Sequence, residues 1–84
     1  MRPRKELGNK NSVGATITKL RKERGWKQNE LLAKMQVRGI DIGKSSISDL
    51  EGQNREIRGN ELLALADIFG VSIEQLYNED KSND

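Results

Sequence analysis

The 84-residue chain contains no cysteine and no histidine. Without cysteine there are no disulfides and no thiolate metal sites, and without either residue the usual zinc ligand sets are excluded. The two side chains that most often serve as nucleophile and base are missing as well. A cysteine-free chain suits a reducing compartment such as the cytoplasm. No apolar run approaches the ~18 residues of a membrane span. The N-terminal stretch MRPRKELGNKNS is basic but lacks the apolar core of a signal peptide, so none is expected. There is no phosphate loop either, because Gly43, Lys44 and Ser45 would need a glycine at position 38, which is Arg38. No enzyme activity, no cofactor and no catalytic or metal-binding residue is expected.

What remains is a small chain with uneven charge. At 84 residues it makes one domain with a small core. The net charge is only +2, but residues 1–27 hold nine basic against two acidic side chains. Residues 28–59 balance at five of each sign, and residues 60–84 hold one basic against six acidic. A basic front and an acidic rear would orient the molecule near a polyanion, although an unevenly charged solvated surface has the same composition.

Apolar spacing predicts five helices, with no strand and no repeat. Residues 1–12 are polar and read as a flexible basic arm. Asn11 or Ser12 can cap a first helix running to Arg24, with Val13, Ile17 and Leu20 on one face and Gly25 as its stop. A second helix covers about Lys27 to Met35, with Leu31, Leu32 and Met35 inward; Lys27 is a poor cap. The connection Gln36–Gly43 holds Val37, Ile40 and Ile42, at least one of which should plug the space between helices. The third helix covers Lys44 to Glu51 or Gly52. After the polar loop QNREIRG, a fourth begins at Gly59 or Asn60, carries Leu62, Leu65, Ala66 and Phe69, and ends at Gly70. Ser72 and Gln75 make a capping-box pattern for a short fifth helix with Ile73 and Leu76 inward. The domain thus spans 13–78, followed by a polar tail over 79–84. Trp26 and Phe69 read as core residues, Trp26 at the joint of the first two helices.

The stretch from Trp26 to Gln53 is the most informative. It places a short third helix, with Ile47 and Leu50 at its back and small polar residues at its front, after another short helix. Such a helix can enter the major groove of DNA and reach base edges with its first turn.

These pieces together resemble the lambda-repressor-like helix-turn-helix family, the Cro and Xre group of bacterial and phage regulators. The resemblance rests on VGATITKLRKERGWKQNELLAKM, then SSISDLE, then ELLALADIFGVSIEQLY, in that order, and covers about residues 13–77. It implies an all-α, compact five-helix lambda-repressor-like DNA-binding domain with the helix-turn-helix at helices 2 and 3. By position, Gln28 matches a glutamine that contacts a phosphate and braces the third helix. Leu31 and Ile47 match the apolar anchors of the helix pair. Arg21 and Glu51 match an arginine–glutamate pair, a contact whose two-pronged geometry fixes an interhelical angle. Lys44, Ser45 and Asp49 stand where family members most often touch bases, with Ser46 and Ser48 adjacent. Lysine can donate to guanine, and serine to several edges. Asp49 can accept from cytosine or act as an excluding residue. Asn54, Arg55 and Arg58 stand where the family's next loop meets phosphates.

The chain departs from the family in its connection. Gln36–Gly43 is eight residues, against the three or four of a tight helix-turn-helix. Gly43 stands where a serine or threonine usually caps the third helix. The longer connection could extend the second helix by a turn and bring Lys34 and Arg38 near phosphates. The implied function is a transcriptional regulator, a repressor acting as a homodimer on an inverted-repeat operator in double-stranded DNA. A protein-interaction module on the same fold, an antitoxin or an adaptor with a protein partner, is the alternative.

Overall fold

The computed structural model describes Gly8 and residues 10–78, and the remaining parts of the expected arm (1–12) and tail (79–84) lie outside the described residues. Five helices follow one another: α1 (Gly14–Glu23), α2 (Gln28–Val37), α3 (Lys44–Glu51), α4 (Gly59–Phe69) and α5 (Ile73–Asn78). There is no strand among the described residues, and no helix is long and apolar enough to cross a membrane.

The helix boundaries follow from local hydrogen bonding. Asn11 Oδ1 accepts the N–H groups of Val13 and Gly14 at 3.0 and 2.9 Å, which satisfies donors that the start of α1 leaves open. Gly25, at φ 71°, turns the chain after α1. Lys27 offers no acceptor for α2, but the Glu30 carboxylate reaches back to its N–H at 2.7 Å. The second helix extends past Met35 to Val37, because the turn is made later, by Gly39 at φ 85°. The connection is thereby six residues, 38–43. Ser72 and Gln75 form the reciprocal pair expected before α5, at 2.8 and 3.0 Å.

One apolar cluster holds the helices together. It takes Val13, Ile17 and Leu20 from the α1 region, Leu31 and Met35 from α2, Ile47 and Leu50 from α3, Ala64, Leu65 and Phe69 from α4, and Leu76 from α5. Each fully buried aliphatic side chain contributes about 1.5–3 kcal/mol. Ile40 and Ile42 of the connection are both buried, so two residues plug the gap, while Val37 stays 83% exposed. In α4 the buried face is centred on Ala64 and Leu65, with Leu62 and Ala66 only partly covered. The helix is rotated because Glu61, an acidic residue, turns inward at its first turn. The third helix packs on α1 and α2, α4 on α2 and α5, and α1 on α5.

Trp26 stacks on Phe69 with ring centroids 5.6 Å apart. The Arg24 guanidinium lies 5.1 Å from the Phe69 centroid and 5.8 Å from that of Trp26, and the Lys34 ammonium lies 4.5 Å from that of Trp26. Charge over aromatic faces adds cation–π attraction to apolar contact at this joint.

Candidate nucleic-acid interface

The third helix shows opposite chemistry on its two sides. Ile47 and Leu50 are fully buried, while Lys44, Ser45, Ser48 and Asp49 are exposed and Ser46 is half-buried. Positions 44, 45, 48 and 49 follow the helical repeat and form one continuous outer stripe. Gly43 precedes the helix in an extended conformation, and no side chain caps it. A serine or threonine would have brought its own acceptor to that end.

The orientation of α3 is fixed by a polar triad, Arg21 and Glu51 buried and Gln28 half-buried. Arg21 of α1 donates to both carboxylate oxygens of Glu51, through Nε at 2.7 Å and Nη2 at 3.0 Å. Its Nη1 donates to the Trp26 carbonyl at 2.8 Å. Gln28, in the first turn of α2, donates its amide to Glu51 Oε1 at 2.9 Å. Arg21 and Glu51 are 8% and 5% exposed, so solvent does not weaken the contact. Three helices thus meet on one carboxylate at the far end of α3, and Gln28 is a brace through this contact.

The loop after α3 is bound to the segment before α1. Gln53 lies at φ 60°, in the left-handed region that costs a residue with a side chain about 1–2 kcal/mol. From there its Oε1 accepts the Ala15 N–H at 3.2 Å, and its Nε2 donates to the carbonyls of Asn11 and Gly8 at 2.8 and 3.3 Å. Asn11 answers with Nδ2, which donates to the carbonyls of Leu50 at 3.2 Å and Arg55 at 2.8 Å. The N–H groups of Gly8 and Lys10 reach the carbonyls of Gly52 and Gln53 at 2.8 and 3.0 Å. Gly14 permits this approach, since a Cβ there would collide with the Leu50 and Glu51 carbonyl oxygens.

Arg55 faces inward to the protein. Its guanidinium donates to the Ser46 and Glu56 carbonyls at 3.0 and 2.9 Å and to both Glu61 carboxylate oxygens at 2.9 and 3.0 Å. Burial disfavours the ionised Glu61 carboxylate. The hydrogen bond and charge of Arg55, the Arg58 N–H and the Arg58 charge together outweigh that and hold its pKa below the ordinary value. Asn54 and Arg58 are exposed. With Lys10, Arg55, Glu56 and Ile57 they line an open concavity of about 460 Å³ beside the end of α3.

The structure therefore gathers Lys44, Ser45, Ser46, Ser48 and Asp49 on α3, and Asn54 and Arg58 beside its end. The side chains of Gln28 and Arg55 are occupied within the fold. Lys34 is half-buried against Trp26, and Arg38 pairs with Asp67 at 2.8 Å. Asn11, Gln53 and Glu61 are contributors that sequence reasoning did not single out as site residues. Asn11 is legible as a cap, but its bonds to residues 50 and 55 leave no periodic trace.

The family profile of the Cro/C1-type HTH DNA-binding domain matches residues 16–81. No curated protein and no solved structure matches the chain.

Proposed function

The chain belongs to the Cro/C1-type helix-turn-helix DNA-binding domain family, and from that premise we propose that it is a sequence-specific transcriptional regulator. In this reading it is a repressor that lays residues 44–52 in the major groove. Lys44 is the main base contact, Ser45, Ser46 and Ser48 are permissive readers, and Asp49 accepts from cytosine or excludes other bases. Asn54, Arg55 and Arg58 serve the phosphate backbone, Arg55 also by fixing the loop, and Gln28 does so beside its bracing contact. The observation that carries the reading is the outer stripe of α3, polar throughout and held from behind by the Arg21–Gln28–Glu51 triad.

The regulator acts as a homodimer on an inverted repeat, with half-sites about one helical turn, ~34 Å, apart. Its place is the cytoplasm, where bacterial and phage DNA lies. A mobility-shift titration against genomic fragments at ~0.15 M salt tests the proposal, with one fragment expected to outcompete bulk DNA. No preferred fragment would sink specific regulation.

One observation favours a second reading, a protein-interaction module such as an antitoxin or adaptor. The outer stripe holds a single cation and an acid, while Leu63 and Val37 stand 63% and 83% exposed elsewhere. Salt-insensitive association with a protein, and no DNA affinity, would favour that reading.

A further inference from the structure

We infer that Lys10 is a phosphate-contact residue of the DNA interface, and that Asn11 and Gln53 are the positioning residues that hold it there. The inference rests on the DNA-binding reading above and adds a contact from outside the helix-turn-helix.

Its first support is placement. With the outer stripe of α3 in a major groove, the loop after that helix, with Asn54 and Arg58 exposed on it, is the part that the reading above sets on the phosphate backbone. The concavity at that end is lined by Lys10, Asn54, Arg55, Glu56, Ile57 and Arg58. Three cations face one carboxylate, and Arg55 already answers Glu61. Lys10 and Arg58 are the exposed cations left to meet an anion from outside.

The second support is rigidity. The Lys10 N–H is bonded to the Gln53 carbonyl, and the neighbouring Asn11 is held through its side chain by Leu50 and Arg55 and through its carbonyl by Gln53. Those bonds give partners to the Gln53 and Arg55 carbonyls of the loop after α3 and add a second donor to the Leu50 carbonyl, which also accepts the Gln53 N–H at 3.1 Å. The backbone of Lys10 is thus ordered on folding, and binding a phosphate costs only the freedom of its side chain. A lysine on a loose arm would lose that entropy at the moment of binding.

The test is the salt dependence of DNA affinity for the whole chain, four single variants and one double variant. Lys10→Gln should lower the slope of log K against log salt by ~0.9, which is about a fivefold loss at 0.15 M salt, equally on preferred and bulk DNA. Lys10→Arg should restore both. Lys22→Gln removes the same charge from the last turn of α1, eight residues or ~12 Å along the helix from Gly14, and should change the slope little. A wild-type slope for Lys10→Gln, or an equal drop for Lys22→Gln, would overturn the inference while leaving the DNA-binding reading intact. A wild-type chain with no DNA affinity would remove both. Asn11→Ala, if folded by circular dichroism, should mimic Lys10→Gln, and combining the two should add no further slope loss. Full additivity would refute the positioning role, and if Asn11→Ala unfolds, the Lys10 variants decide.

Discussion

Arg55 and Glu61 meet in a two-pronged ion pair, Nη1 to Oε1 at 2.9 Å and Nη2 to Oε2 at 3.0 Å, that joins the loop after α3 to the first turn of α4. The same carboxylate accepts the Arg58 N–H at 2.9 Å. One acid therefore holds both the loop carrying the candidate phosphate contacts and the start of the next helix.

Stability should consequently fall in acid. Glu61 has a lowered pKa in the folded chain, so its contribution is present above the unfolded value, about 4.3. It is lost as pH falls from there through the folded value. Thermal melts from pH 7 to pH 3 should show Glu61→Gln destabilised by about 1–3 kcal/mol at neutral pH and converging with wild type in acid. Parallel curves would count against this role.

Glu51→Ala should be the more damaging change. It leaves the Arg21 guanidinium buried without its carboxylate, a loss of about 3–5 kcal/mol for a buried pair broken on one side. Urea denaturation monitored by Trp26 fluorescence would measure it. An unchanged midpoint would show that the pair is not a determinant of stability.

Gln53 allows two opposing effects to be separated. Gln53→Ala loses the side-chain bonds and keeps the left-handed strain, whereas Gln53→Gly loses the bonds and relieves the strain. Glycine should therefore be the milder substitution, by about 1 kcal/mol. Equal melting temperatures would mean that the backbone relaxes once the side chain is gone.

In DNA binding, Lys44 and Arg58 should part company. Lys44→Ala should relax base preference at one operator position, at ~1–3 kcal/mol of discrimination, while Arg58→Ala should weaken all sequences alike and reduce the salt slope by about 1. Selection from a random DNA pool, followed by salt titrations, distinguishes them. Identical effects on every sequence would show that α3 does not read bases.

Five helices and most of their ends were legible because apolar spacing, glycine stops and capping residues are local signals. Val13, Ile17 and Leu20 lie on one face whatever surrounds them, and Ser72 with Gln75 needs no distant partner. The misses have a common cause. The end of α2 depended on which glycine turns the chain, and Gly39 does so rather than a residue nearer Met35. The rotation of α4 depended on Glu61 finding Arg55, and acidic residues are ordinarily expected outside. The family resemblance located Arg21, Gln28 and Glu51, with Gln28 as a brace, but nothing in a linear reading says that Arg55 spends its donors inside the fold. Lys10 was hidden for the same reason. A polar stretch reads as a free arm until its hydrogen-bond partners, forty residues or more away for most of its contacts, are known.

The bond from the Ala15 N–H to Gln53 also bears on the order in which the chain folds. The first turn of α1 depends on a side chain 38 positions downstream, so its last capping partner emerges only after α2 and α3 have been made. Such a contact raises the mean sequence separation of the fold, a property that goes with slower folding. During synthesis the segment before α1 can lock in place only after the loop behind α3 has been made. The two ends of that contact therefore set together, although Asn11 already caps α1 locally.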